Sequence, residues 1–262
     1  MKIALLSFDV EEFDFPFEYG GHPTMEEQIS TSRSGLNKLI PVLKKYNAKS
    51  TMYCTGFFAS AQPEIIKEIS SFHEIASHNY YHSSHTTGDL TSSREILEKF
   101  SEKKVIGFRM PRMAAVSDQD LLNAGYTYNA SICPTYLPGR YDCRHVPRTL
   151  FKNNNLIQFP TSVSVKYRIP LFWIAFHNLP LWFFFFLCKR VVKNDGYVHL
   201  YFHPWEFTDY TKINNGARYP FYLHRNNGAK MLKRFEMLLE FFRNEGFKFQ
   251  TTGDFLENQN IK

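Results

Sequence analysis

Apolar and polar positions fall into blocks along the chain, and the period within the blocks switches repeatedly. Ile3–Phe8 is a short apolar run, the pattern of a buried strand. Ser34–Tyr46 spaces Leu36, Leu39, Ile40 and Leu43 three and four apart, which predicts a helix. Ser50–Cys54 reads as a second strand, and Pro63–Ser71 as a helix opened by proline in its first turn. Glu74–Ala76 is a third short strand. Thr91–Phe100 follows as a helix with Thr91 as its N-cap and Ile96, Leu97 and Phe100 on one face. Val105–Phe108 predicts a strand, and Ser117–Ala124 a helix capped by Ser117 with Gly125 past its end. Beyond it, Tyr126–Ala130, Leu156–Phe159 and Val198–Phe202 read as strands. Asn227–Asn244 reads as a long helix closed by Gly246, and Phe247–Gln250 as a last strand.

Strand–helix units repeated in this way predict a parallel sheet clad by helices. With so many units, an α/β fold closing as a barrel, perfect or incomplete, is the natural outcome. No linker or internal repeat interrupts the pattern, so a single domain over 1–262 is the simplest expectation. In parallel α/β folds the chemistry sits at the C-terminal ends of the strands. Asp9 and Glu11 follow the first predicted strand, His78 the third, Arg109 the fourth, and His203 follows Phe202.

Composition narrows the function classes. The chain carries 26 Phe, 15 Tyr and 3 Trp, and flat aromatic faces suit a sugar-binding cleft or a membrane-facing surface as well as a core. The net charge of +6 is spread without a basic helix or arm, which argues against nucleic acid and is compatible with acidic ligands or anionic lipid. Cys54, Cys133, Cys143 and Cys188 form no CxxC pair and read as reduced thiols. Met1-Lys2 leads directly into a strand with acidic residues after it, a poor secretory leader, so the expected location is the cytoplasm.

Candidate chemistry centres on two histidines four apart, His78 and His82. On a helical turn that spacing puts both imidazoles on one face, able to share a metal. Asp9-Val10-Glu11 supplies two carboxylates, one able to bind the metal while the other stays free as a base. An isolated HxxxH is common, and two surface histidines in a polar loop is its bland reading.

The ordered set of motifs resembles the NodB-homology polysaccharide deacetylases over nearly the whole chain. Ser7-Phe8-Asp9-Val10-Glu11-Glu12 resembles the first family motif. Ser50–Tyr53, Pro63-Glu64 and His73 through His82 resemble the stretch ending in the metal-binding histidines. Gly107-Phe108-Arg109-Met110-Pro111 resembles the third, and His203-Pro204-Trp205-Glu206 the last. The resemblance implies a distorted, incomplete (β/α) barrel of about seven parallel strands. It implies a divalent metal, usually zinc, with Asp9 as catalytic base, Arg109 orienting it, and His203 as general acid to the leaving amine. The implied reaction removes an N-acetyl group from an amino sugar in a glycan or lipid-linked glycan precursor. An N-formyl or other small amide, or an impaired carbohydrate-binding relative, is the alternative.

Several positions depart from the family pattern. Val10 stands where the metal-binding acid is usual, which moves that role to Glu11, with Glu12 as fallback, beside His78 and His82. The stretch Tyr126–Ser131 lacks the carboxylate that supports the acid histidine, leaving Glu206 or Asp142 for that task. Pro111, Arg112, Trp205 and Glu206 are expected at the substrate, with the Arg112 cation suited to a phosphate or other anion. Finally, Ile169–Cys188 is almost wholly apolar but broken by Pro170, His177, Asn178 and Pro180. Pro180 then opens a helix through Val192. A buried helix, a peripheral contact of 179–193 with the inner face of a membrane, and a dimer interface are its three readings.

Overall fold

A computed structural model describes residues 1–213 and 216–259. Its strands are β1 (Lys2–Val10), β2 (Thr51–Cys54), β3 (Glu74–Ser77), β4 (Gly107–Phe108), β5 (Tyr128–Asn129), β6 (Tyr136–Leu137), β7 (Tyr141–Asp142), β8 (Phe151–Asn153), β9 (Leu156–Gln158), β10 (Tyr197–Phe202) and β11 (Phe247–Gln250). The main sheet runs β10-β1-β2-β3-β4-β5-β9-β8, with β11 also paired to β1. Every pair in it is parallel except β8 with β9. Among the described residues no ladder joins β8 to β10, so the curled sheet stays open: a distorted, incomplete (β/α) barrel. β6 and β7 form a separate antiparallel hairpin.

Side-chain alternation along the strands sets the site. In β1, Ala4, Leu6, Phe8 and Val10 join the core between sheet and helices, while Ile3 and Leu5 join a second cluster on the opposite, inner face. Continuing that period of two puts Ser7 and Asp9 on the inner face. The same rule carries Ala76 to His78, Gly107 to Arg109, and Tyr197 through His199 to His203. Gly107 is required there, because a Cβ on it would lie 2.0 Å from the Tyr128 ring.

The helices are α1 (Met25–Lys45), α2 (Gly56–Ala61), α3 (Pro63–Ser70), α4 (Thr87–Ser101), α5 (Asp118–Asn123), α6 (Trp173–Asn178), α7 (Leu181–Asp195), α8 (Phe221–His224), α9 (Ala229–Asn244) and α10 (Thr252–Asn258). Two begin earlier than apolar spacing predicts, and in both the cap decides. α1 starts nine residues before Ser34, where Thr24 and Glu27 form a capping box, and its first turns bury Gln28, Thr31 and Ser32 rather than leucines. α4 is capped by Thr86, whose N–H reaches Asp89 at 2.6 Å, so Thr91 lies inside the helix. Ser117 does cap α5.

α7 runs three residues beyond Val192. It buries Phe184, Leu187, Cys188, Val191 and Val192, each burial stabilising by about 1.5–3 kcal/mol for the larger side chains. Phe185 stacks on Phe241 of α9 at 4.3 Å. Trp182 and Phe186, one turn apart, stay 72% and 48% exposed. No described helix is long and apolar enough to cross a membrane.

Candidate active site

Asp9 and Arg109 meet at the mouth of the barrel, where Arg109 Nη1 donates to Asp9 Oδ1 at 2.5 Å. The guanidinium is fully buried. It is held by Ser7 Oγ at 2.9 Å, His199 Nε2 at 3.3 Å and the Tyr53 ring, 4.0 Å below its carbon. Because Arg109 can only donate, His199 Nε2 must accept, which requires a neutral ring. Burial and the Arg109 charge both push the His199 pKa down, to about 3. His199 is absent from the motif reading and Ser7 has no role assigned in it, yet the inward parity of β1 and β10 marks both.

Glu11, His78 and His82 converge beside Asp9. His78 Nε2 and His82 Nε2 each lie 3.1 Å from Glu11 Oε2. The two histidines are not on a helical turn as their spacing suggests. They sit in the loop after β3, and Asn79, at φ 62°, turns the chain between them. Their tautomers are set from behind: His78 Nδ1 donates to the Arg109 carbonyl at 2.8 Å, and His82 Nδ1 to Asp14 Oδ1 at 2.7 Å. Both Nε2 atoms are thereby free to point at one place.

One ligand atom from each of Glu11, His78 and His82 lies within 4.8 Å of the others. Two imidazoles with engaged Nδ1 atoms and one carboxylate fit a divalent cation in donor type and number. Burial raises the Glu11 pKa, but His82, His78 and His203 outweigh it and hold Glu11 well below the carboxylate range. Burial lowers the His82 pKa, but the Glu11 and Asp14 carboxylates outweigh it and bring it to about 9.

Glu12, the fallback ligand, is not among the donor atoms that converge here. Its Oε2 accepts from Thr55 Oγ at 2.7 Å and its Oε1 from the His82 N–H at 2.8 Å, so it holds the loop. Trp205 lines the cavity and donates its Nε1–H to Glu11 Oε1 at 3.1 Å.

His203 lies with Nε2 3.9 Å from Asp9 Oδ2 and its ring stacked on Trp205. Its Nδ1 donates to Glu206 Oε1 at 2.9 Å, and its backbone N–H reaches the same oxygen at 2.6 Å. His177 Nε2 donates to the other Glu206 oxygen at 2.8 Å. Burial lowers the His203 pKa, but Glu206, Glu11 and Asp9 outweigh it and raise it. Of the two orienters expected from sequence, Glu206 therefore takes the task, and exposed Asp142 pairs with Arg144 instead. Glu206 is also fully buried and, unlike Trp205, is not part of the cavity lining where a substrate contact is expected. Asn129 and Ser131, at the expected place of the missing carboxylate, brace the chain beside Arg109: the Ser131 hydroxyl accepts from Met110 N at 2.8 Å.

A cavity of about 250 Å³ opens onto Asp9, Glu11, His78, His82 and His203, walled by Leu137, Phe172, Trp173, Tyr201 and Tyr222. Arg112 lines it as expected, but its three nitrogens are engaged by Asp14 Oδ2, Glu18 Oε1 and the His82 carbonyl. Pro111 is buried and is not part of that lining. Asp14 and His177 carry no motif signal; His177 is visible in sequence only as a polar break in an apolar run.

An open parallel β/α barrel with a carboxylate–histidine cluster at its C-terminal mouth defines the class, and comparison with known proteins names the family. The pattern described as polysaccharide deacetylase matches residues 27–128, and a domain of unknown function (DUF3473) matches 130–257. The polysaccharide deacetylase pattern thus covers the elements from α1 to β5, and the second pattern those from β6 into α10. Its fold is similar to that of a polysaccharide-deacetylase-like protein of Mycobacterium smegmatis (TM-score 0.65, 18% identity, covering 100% of this chain and 92% of that one). It is also similar to a polysaccharide-deacetylase-like protein of Pseudomonas aeruginosa PAO1 (0.63, 14%, 96% and 89%). A third similar structure is a pseudoenzyme of the CE4 family from Bacillus anthracis (0.52, 11%, 96% and 64%). No curated protein matches the chain.

Proposed function

We propose that the chain is a metal-dependent hydrolase that removes an N-acetyl group from an amino sugar. The observation that carries this is the convergence of Glu11, His78 and His82 within reach of the Asp9–Arg109 pair on one side and His203 on the other. Glu11, His78 and His82 would hold the metal, zinc by donor type. When bound, such a cation supplies Lewis-acid polarisation of the acyl carbonyl and acidifies a water. Asp9, fixed by Arg109, takes the proton of the attacking water. His203, kept protonated by Glu206, gives a proton to the leaving amine, which is a very poor leaving group without it. Phe172, Trp173 and Tyr201 line the cavity that a sugar ring would enter. The pseudoenzyme neighbour raises the impaired-relative reading, but retention of base, acid and all three donors supports activity.

Two substitutions test the assignment. His78→Ala loses metal and acetate release together. Asp9→Asn keeps metal and loses acetate release; loss of metal there would exchange the roles of Asp9 and Glu11. The finer substrate reading, a lipid-linked saccharide met at a membrane surface, draws support from the exposed α7 stripe, where Arg190 lies over the Phe186 ring at 5.9 Å.

A further inference from the structure

We propose that Asp14 and Arg112 are positioning residues for His82, a charged brace that aims its Nε2 at the metal. The inference rests on the metal-dependent reading above. Asp14 is buried and spends its two oxygens on two partners. Oδ1 accepts from His82 Nδ1 at 2.7 Å and Oδ2 from Arg112 Nη2 at 2.8 Å. Arg112 then closes the loop on the same histidine, since its Nη1 donates to the His82 carbonyl at 2.8 Å. With Glu12 on the His82 N–H, the backbone donor, the backbone acceptor and Nδ1 of this one residue are all fixed. Only Nε2 remains, and it faces Glu11.

The brace comes at a conformational cost. Arg112 and Met113 sit at φ 56° and 54°, where a side-chain-bearing residue is disfavoured by roughly 1–2 kcal/mol each. Strained backbone of this kind persists where surrounding contacts over-determine it. Here the contacts are Asp14, Glu18 and the His82 carbonyl, and together they occupy every nitrogen of the guanidinium. These bonds use three of the five guanidinium N–H groups and hold the side chain against His82 and Asp14. His78 has no such arrangement, because its Nδ1 is held by a backbone carbonyl. The side-chain control of ligand geometry is thus concentrated on His82.

The test measures Zn2+ affinity of the full chain by chelator competition, with Co2+ absorption as a spectroscopic report on ligand geometry. Asp14→Ala should weaken Zn2+ binding by about 10–100-fold, the usual effect of removing a partner behind a metal-bound histidine. Asp14→Asn, whose amide oxygen still accepts from Nδ1, should fall between it and wild type. Arg112→Gln should weaken binding in the same direction and change the Co2+ spectrum. Melting of the metal-free proteins reports folding, and if Asp14→Ala does not fold the other two variants carry the test. Wild-type Zn2+ affinity in the variants overturns the brace. So does an Arg112→Gln protein that binds metal normally and raises KM only for anionic substrates. Wild-type protein that takes up neither Zn2+ nor Co2+ overturns the metal-dependent reading and the brace together, which separates the two failures.

Discussion

Replacing Glu206 by Gln removes a charge from a fully buried carboxylate while keeping its shape. In the native site Glu206 accepts three hydrogen bonds, two from His203 and one from His177. The amide oxygen of Gln can keep the two from His203, but as a neutral acceptor. A hydrogen bond to a charged group contributes about 1.5–3 kcal/mol and a neutral one about 0.5–1.5, so support for the His203 cation falls by about 1–2 kcal/mol. If His203 is the general acid, that loss appears as a roughly 5–30-fold drop in kcat. The sign for pH follows from the raised His203 pKa. A general acid works below its pKa, so activity falls as pH rises through it. Removing the Glu206 charge lowers that pKa, and the alkaline limb of the profile moves to lower pH. The amide NH2 also faces the His177 Nε2–H, two donors opposed. A ring switch would leave a buried Nδ1–H with no partner among the described residues, so the melting temperature should fall as well. Acetate release from N-acetylated oligosaccharides across pH, with 15N imidazole spectra of His203, reads both effects. An alkaline limb unmoved from wild type, or a loss confined to KM, refutes the role given to Glu206.

Three further outcomes are expected. Metal uptake must displace the proton on His82, whose pKa is raised to about 9; Zn2+ affinity should therefore increase with pH up to that value and bind with proton release, measurable by calorimetry in two buffers. Gly35→Ala places a Cβ 1.8 Å from the Pro204 carbonyl oxygen and must push α1 off the His203–Phe207 turn, costing about 1–3 kcal/mol by thermal unfolding and lowering kcat as His203 shifts; an unchanged melting curve would contradict the close contact. Vesicles rich in anionic lipid should float with wild-type protein and release the Trp182→Ser/Phe186→Ser variant, whereas wild-type protein that stays unbound rules out the membrane contact.

Much of the site is legible in sequence because it lies on strands. Once β1 is placed, the period of two assigns Ser7 and Asp9 inward, and the same parity carries His78, Arg109, His199 and His203 to the barrel mouth. Helix starts are less legible from apolar spacing alone. α1 and α4 begin at capping boxes, and α1 also buries Gln28, Thr31 and Ser32 in its first turns, so apolar spacing starts both late. The HxxxH spacing names two rings that do meet, but a left-handed Asn79, not a helical turn, brings them together.

By itself, then, the sequence determined the alternation of strands and helices, the inner face of the sheet, and the chemistry that each strand end presents. Local periodicity is written in neighbouring residues, and these features need nothing else. The tertiary structure alone decided which groups stand behind that chemistry. Asp14 reaches His82 across 68 residues and Arg112 across 98, and His177 reaches Glu206 from another helix across 29. Such contacts depend on the path of irregular loops and on backbone angles that no residue pattern announces. For that reason Arg112 reads in sequence as a hand for the substrate, while in the fold it bonds Asp14, Glu18 and the His82 carbonyl.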